Sequence, residues 1–89
     1  MRVARRYVIS GRVQGVGFRY FTMLAAIDEG IDGWVCNLPD GRVEVHAAGD
    51  QESMNRFEAR LREGPRGARV TDIESSDIDA DLSSGFVVR

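Results

Sequence analysis

A length of 89 residues allows one compact domain. Folding at this length buries only about 60–65% of the unfolded chain's surface, so the domain has one modest core. Hydrophobic residues make up 43% and charged residues 29%, and no apolar run approaches the roughly 18 residues of a transmembrane helix. A net charge of −2 argues against bulk attraction to nucleic acid or anionic lipid. No secretory signal is visible, and the one cysteine, Cys36, has no internal disulfide partner. We therefore expect a single cytoplasmic domain over residues 1–89.

Charge is distributed unevenly along the chain. Residues 1–27 hold five arginines and no acidic residue, whereas residues 71–85 hold five acidic residues and no basic one. The arginines are Arg2, Arg5, Arg6, Arg12 and Arg19. We expect the basic front segment to attract a small anion locally, and the acidic segment 72–81 to form a solvated, weakly ordered face.

The first half of the chain reads as a strand, a glycine-bearing loop and a helix. Alternating hydrophobicity predicts the strand over Arg5–Val13, and the loop over residues 14–19 follows it. The helix is predicted by residues that recur at a 3.6-residue spacing, with Met23 and Ile27 beside them, and Gly30 is placed to end the helix. The spaced residues are Phe21, Leu24, Ala25 and Asp28.

The second half adds a hairpin, a second helix and two strands. Strands over Gly33–Asn37 and Arg42–Ala48 flank a turn with Pro and Asp-Gly signals. Asp50 is the predicted N-cap of the second helix, which ends at Gly64-Pro65. A strand from Ala68 to about Ile78 and a short last one over Gly85–Arg89 complete the chain.

This order, βαββαβ plus a terminal strand, predicts an α+β fold of the ferredoxin-like split βαβ type. Two helices pack on one face of a mixed, mostly antiparallel sheet. Since strand–helix–strand crossovers are parallel and right-handed, the ends of the first two strands lie at one sheet edge, about 10 Å apart. The glycine loop leaves the first of these ends and Asn37 closes the second, so the two features can share a site.

The loop over residues 14–19 has the character of an anion site. Gly15 and Gly17 permit a sharp turn, and consecutive N–H groups at a helix start point to one spot. Arg19 is placed to add two parallel hydrogen bonds to phosphate oxygens. The stretch lacks the Gly-Lys-Ser/Thr of a Walker A motif, and it also lacks the third glycine of a dinucleotide-binding fingerprint. On pattern alone, a plain chain turn with a solvated Arg19 fits equally well, and a turn-forming Asn37 fits better than a functional one. Their joint occurrence at one sheet edge reverses both judgements.

Two longer segments carry a resemblance to a known family. Residues 10–19, SGRVQGVGFR, closely resemble the first signature of the acylphosphatase family, and residues 33–45, GWVCNLPDGRVEV, resemble its second. The spacing between them, residues 64–70 and the closing Gly85-Phe86 also fit, so the resemblance covers nearly the whole chain. It implies the ferredoxin-like fold and hydrolysis of a carboxylic–phosphoric mixed anhydride to a carboxylate and inorganic phosphate.

The resemblance also implies roles for individual residues. Arg19 and Asn37 are the implied catalytic residues, Arg19 binding the phosphate and Asn37 the attacking water. The implied phosphate-binding loop is made of Gln14, Gly15, Val16, Gly17, Phe18 and Arg19. No cofactor or metal is implied, and the expected partner is a small-molecule acyl phosphate, with inorganic phosphate or another anion as an occupant of the loop. We do not expect nucleic acid or a membrane as a binding partner, and we expect the protein to be a monomer. Cys36 departs from the family, many of whose members carry a long polar or basic residue there.

The residue chemistry agrees with this substrate class. An arginine, an amide and backbone donors can neutralise a transferring phosphoryl group and position water, as a loose transition state requires. No paired acid and base, activated nucleophile or metal cluster is evident. Because an acyl phosphate expels a carboxylate whose conjugate acid has a pKa of about 4, no proton donor is needed. We expect metal-independent turnover and poor hydrolysis of phosphate monoesters.

Other interpretations stay open beside this one. A non-catalytic anion-binding or regulatory module on the same fold would bind phosphate without turnover, although Asn37 would then have no task. A domain of a larger carbamoyl-transferring maturation factor is disfavoured by the length, and a nucleic-acid-binding domain by the net charge. His46 shares a strand face with Arg42 and Glu44, which favours a solvated sheet face, and Cys36 is expected to be a half-exposed strand residue.

Overall fold

The computed structural model describes residues 1–79 and 82–89, in which strands and helices alternate much as the sequence predicts. The strands are β1 (Arg2–Arg12), β2 (Asp32–Asn37), β3 (Val43–Asp50), β4 (Arg69–Asp77) and β5 (Phe86–Val88), and the helices are α1 (Phe18–Glu29) and α2 (Gln51–Glu63). The strands form one sheet in the order β4-β1-β3-β2-β5. The predicted α+β fold is confirmed: two helices pack on one face of a mixed sheet.

Several element boundaries differ from the prediction. β1 begins at Arg2 instead of Arg5 and ends at Arg12, while β3 runs to Asp50. The reason is the antiparallel β1–β3 ladder, which pairs Arg2 with Asp50 and so extends both strands beyond their alternating cores. α1 begins at Phe18, before the spaced residues that predicted it.

The strand directions bring the carboxyl ends of β1 and β2 to the same edge of the sheet. β1 and β2 are each antiparallel to β3, which lies between them, so they run in the same direction. β4 pairs antiparallel with β1, with a register shift between Ser10 and Gly11, and β5 pairs parallel with β2. The predicted juxtaposition is confirmed: the loop after β1 and the end of β2 lie at the same edge, one strand apart.

The core lies between the sheet and the helices. β1 and β3 contribute alternating apolar residues, and α2 contributes the predicted stripe of Met54, Phe57 and Leu61. α1 buries Phe18, Thr22, Ala25 and Ala26. Of the apolar residues whose spacing predicted this helix, Ala25 is buried but Leu24 is 40% exposed. The helix is therefore rotated from the orientation in which that spacing would form the core face.

The helix ends follow the predicted capping. Asp50 accepts a hydrogen bond from the N–H of Glu52 at 3.2 Å, which is the N-cap contact expected for α2. Gly30 ends α1 in a left-handed conformation, and its N–H donates to Ile27 O at 3.2 Å. No helix in residues 1–79 or 82–89 is long and apolar enough to cross a membrane.

The acidic segment is exposed, as expected, but much of it is regular strand. Asp72, Glu74 and Asp77 lie in β4 with exposed side chains, and Asp79 follows the strand end. Strand pairing with β1 orders this stretch, because β1 supplies a hydrogen-bonding partner for it from Arg5 to Arg12. Asp81, the fifth acidic residue of the segment, lies outside the described residues.

Candidate active site

The loop over residues 14–19, the anion loop, turns on two glycines. Gly15 and Gly17 have φ of 74° and 76°, in the left-handed region that side chains rarely adopt. Gly17 is the N-cap of α1, and the first helical hydrogen bond runs from the N–H of Phe21 to Gly17 O at 3.0 Å. The backbone N–H groups just before Phe21 therefore lack an intrahelical acceptor and are available to a bound anion.

Apolar side chains anchor the same loop from beneath. Phe18 is 2% exposed in the core, and Val16 packs against the core as a half-buried residue. The first turn of α1 contains no acidic residue, so no carboxylate competes with a bound anion at the positive end of the helix dipole. The anion loop is thus held by its apolar side chains while its main chain faces outward.

Asn37 reaches the site by strand alternation. It is the last residue of β2 and shares a parity with Val35, which is fully buried under the helices. Cys36, between them, belongs to the opposite face of the sheet. After Asn37 a tight turn reverses the chain, closed by hydrogen bonds from Leu38 N to Arg42 O at 2.8 Å and from Gly41 N to Leu38 O at 3.2 Å.

Gln14 links this turn to the anion loop. Its side-chain Nε2 donates to Leu38 O at 2.8 Å and to Arg42 O at 3.0 Å. Sequence reasoning placed Gln14 among the substrate-binding residues, and the structure places its amide on the turn that follows Asn37. Those carbonyls lie 24 and 28 residues away in the chain, so no local pattern signals the contact.

An open cavity of about 450 Å³ is lined by most of the residues that the sequence predicted for the site. Arg19 and Asn37, the two catalytic candidates, line it together with Gly15, Gly17 and Phe18 of the anion loop. Gln14 and Val16 are not among its lining residues. Four apolar side chains that the sequence analysis did not assign to the site complete the lining: Val13, Tyr20, Met23 and Val88.

Arg19 is supported by Arg89, the residue that follows β5. Its Nη1 donates to the main-chain oxygen of Arg89 at 2.8 Å, which holds the exposed guanidinium at the mouth of the cavity. The only sequence signal for this contact was the closing Gly85-Phe86 of the family resemblance, which says nothing of a partner for Arg19.

Three of the other four front arginines face carboxylates. Arg2 pairs with Asp32 at 3.0 Å, Arg5 with Glu58 at 3.4 Å, and Arg6 with Glu44. These ion pairs neutralise three of the five arginines that were expected to attract an anion. The charge at the cavity is therefore local, because Arg19 is the one charged residue among those of the described chain that line it.

His46 and Cys36 lie on the opposite face of the sheet. The His46 ring stacks on Trp34 with centroids 4.1 Å apart, and its Nε2 lies 3.4 Å from Glu44 Oε2. Burial, together with the negative charge of Glu44, raises the pKa of the Cys36 thiol, which disfavours the nucleophilic thiolate. Among the described residues, no three His, Cys, Asp or Glu side chains are grouped to bind a metal ion.

The fold and the site together define a class of protein: an α/β sandwich in which a glycine-bearing loop, an arginine and an amide line one cavity at a sheet edge. The acylphosphatase family model matches residues 5–88. The chain belongs to the acylphosphatase family. Its members act on acid anhydrides, and the chain is a hydrolase of acyl phosphates.

Individual relatives support this assignment. The chain is 49% identical over 73 residues to an acylphosphatase of Koribacter versatilis, covering 82% of this chain and 66% of that protein. It is 44% identical to an acylphosphatase of Pseudomonas paraeruginosa over 99% of this chain and 97% of that one. The crystal structure of the Bacillus subtilis acylphosphatase superposes with a TM-score of 0.95 at 36% identity, covering 100% and 99% of the two chains.

Proposed function

We propose that the anion loop and Arg19 hold the phosphoryl group of an acyl phosphate while Asn37 holds the attacking water. The observation that carries this proposal is that Arg19, Asn37, Gly15 and Gly17 line one cavity. The backbone N–H groups at the start of α1 and the Arg19 guanidinium supply donors for the phosphoryl oxygens. The side-chain oxygen of Asn37 accepts a hydrogen bond from water and leaves a lone pair of that water directed at phosphorus.

In the proposed reaction the water oxygen forms a bond to phosphorus as the bond from phosphorus to the acyl oxygen breaks. The acyl oxygen leaves with the bonding electrons as a carboxylate, and the water proton passes to solvent or to a phosphate oxygen. Arg19 and the helix dipole stabilise charge on the transferring group. No proton donor acts on the leaving group, because its conjugate acid has a pKa of about 4.

The proposal extends to the state of the protein. Cys36 is a free thiol on the sheet face, which suits a reducing compartment, and we place the enzyme in the cytoplasm as a monomer. Its turnover needs no metal ion, since arginine and backbone donors supply the positive potential that a cation would otherwise provide.

The test is phosphate release from acetyl phosphate in excess chelator. We expect Arg19→Ala to lower kcat/KM by about a thousandfold, and Asn37→Ala to lower kcat by about a hundredfold with phosphate binding retained. Arg62→Ala and Asn55→Ala are matched controls, because both side chains are exposed on α2. Circular dichroism would establish that all four variants are folded.

Two results would contradict the proposal. Turnover that disappears in chelator and returns with magnesium would show that a metal supplies the charge. Phosphate that binds at the anion loop without any wild-type turnover would instead favour the non-catalytic anion-binding module.

A further inference from the structure

The outer side of α1 is apolar although it faces solvent. Tyr20, Leu24 and Ile27 are 62%, 40% and 60% exposed, and Met23 beside them is half-buried. At 3.6 residues per turn these four side chains, the apolar stripe, fall within an arc of about 100°. The residues that α1 buries in the core lie outside this arc: Phe18, Thr22, Ala25 and Ala26. A contiguous apolar surface that the core does not use is a mark of a binding surface.

The apolar stripe is continuous with the active-site cavity. Tyr20 and Met23 line that cavity with Arg19 and Asn37, and Val88 of β5 adds a further apolar side chain. Since Tyr20 directly follows Arg19, the stripe starts beside the phosphoryl site and runs about 10 Å along the helix to Ile27. A substrate held at the anion loop therefore has an apolar surface next to it.

Charge at the far end of α1 is compensated by α2. Asp28 pairs with Arg60 at 3.1 Å and Glu29 pairs with Arg56 at 2.9 Å. The apolar stripe itself contains no charged residue. The part of a ligand that lies along it must therefore be uncharged and apolar, because a charged group would lose hydration without gaining a partner.

We infer that the apolar stripe and Val88 bind the acyl part of the substrate, so that the preferred substrates are acyl phosphates with uncharged aliphatic chains longer than acetyl. This inference rests on the proposed function, because the phosphoryl group must lie at the anion loop. A second copy of the chain is a poorer occupant. A specific interface buries about 800 Å² per partner, more than four side chains of one helix supply from a total surface of 5023 Å².

The test is the dependence of kcat and KM on acyl chain length, using acetyl, butanoyl and hexanoyl phosphate. The apolar stripe is open to solvent, so each added CH2 should gain about half the free energy of full burial. That corresponds to about a twofold increase in affinity per CH2. We expect kcat/KM to rise on the order of tenfold from acetyl to hexanoyl phosphate. The rise should appear in KM with kcat nearly constant, because acyl binding is the same before and during the reaction.

Met23→Gln identifies the residue responsible, since glutamine keeps the length and helix propensity of methionine but is polar. We expect this variant to flatten the chain-length series, because kcat/KM should fall most for hexanoyl phosphate and least for acetyl phosphate, whose acyl part is the shortest. Val87→Thr is the control, because Val87 is 54% exposed and does not line the active-site cavity.

A wild-type series in which all three substrates have equal kcat/KM would overturn the inference, as would a Met23→Gln variant that lowers all three equally. A flat series together with self-association that Met23→Gln abolishes, measured by sedimentation, would assign the stripe to a second copy. Absence of turnover with every substrate would refute the proposed function instead.

Discussion

Gln14 and Arg19 lie at opposite ends of the anion loop and face different neighbours. Arg19 is exposed at the cavity, whereas the Gln14 amide is held by two main-chain carbonyls of the turn after Asn37. Gln14 thus links the anion loop to the turn after Asn37. Under the proposed function it acts through Asn37, as a positioning residue.

We therefore expect Gln14→Ala to lower kcat about tenfold while KM for acetyl phosphate changes by less than about twofold, because misplacing a bound water affects the transition state more than substrate binding. The variant should fold: Leu38 O still accepts from Gly41 N, and Arg42 O from Leu38 N. Steady-state kinetics measures both constants.

Gln51→Ala is the matched control, since Gln51 is exposed at the start of α2. If Gln14→Ala raised KM and left kcat unchanged, Gln14 would contact the substrate directly, as the sequence resemblance implied.

The shared location of Arg19 and Asn37 could be predicted from sequence, because Asn37 ends β2 and the loop that leads to Arg19 follows β1. The contact of Gln14 could not, because its acceptors are main-chain carbonyls that any residue supplies. The same holds for the support of Arg19 by Arg89 O. Local patterns identify chemical groups, whereas contacts to the main chain depend on the register of strands that are distant in the chain.

At the scale of elements, β5 is short and depends on Asp32. The carboxylate of Asp32 accepts from the N–H of Gly85 at 2.8 Å and from Arg2 Nη2 at 3.0 Å. The hydrogen bond from Gly85 and the Arg2 guanidinium lower the pKa of Asp32. Because β5 supplies Val88 and is followed by Arg89, whose main-chain oxygen supports Arg19, this carboxylate also helps to hold one wall of the cavity.

We expect Asp32→Asn to speed hydrogen exchange at the amides of Gly85 and Arg89 by about five- to tenfold, since one charge-assisted hydrogen bond is lost. Because the folded pKa of Asp32 lies below the unfolded value, acid should produce the same loosening in the wild type as pH falls through the folded pKa. Exchange measured by NMR follows both effects. Asp40→Asn is the control, as Asp40 pairs with Arg42 in the turn between β2 and β3; equal acceleration in both variants would contradict a specific role for Asp32.

The face that α1 buries was not predictable from spacing. Its sequence has apolar residues on nearly every side, so a 3.6-residue period fits several orientations. Packing decides among them: the small side chains of Ala25 and Ala26 face the core, while larger ones such as Leu24 and Ile27 remain outside. The strands were easier to predict, because alternation at period two admits only two orientations.

At the scale of the whole molecule, the buried Tyr7 hydroxyl sets the stability at high pH. Tyr7 is fully buried, and its hydroxyl has no hydrogen-bond partner of good geometry among the described residues, although Arg5 and Glu58 lie nearby. Burial raises the pKa of Tyr7 from 10.0 to about 12. Since the folded pKa exceeds the unfolded one, the stabilisation is complete below pH 10 and is lost between pH 10 and pH 12.

We expect the free energy of unfolding to fall by about 3 kcal/mol over that interval, at about 1.4 kcal/mol per pKa unit. Tyr7→Phe should remove most of this pH dependence and stay within about 1 kcal/mol of the wild type at pH 7. Urea unfolding at several pH values measures it. Tyr20→Phe is the control, because Tyr20 is 62% exposed; a Tyr7→Phe variant that lost as much stability at high pH as the wild type would contradict the assignment.

The interior position of β1, between β4 and β3 in the sheet, has a consequence for how the enzyme folds. β1 opens the chain, yet it pairs with β3, where Arg2 meets Asp50, and with β4, where Arg5 meets Asp77. Pairings between such remote segments require large loops to close first, which makes folding slow relative to proteins built from local contacts. The anion loop leaves the end of β1 and Asn37 ends β2, so neither is in place before these pairings form. Catalytic competence should therefore be gained late, in step with the slowest assembly of the sheet.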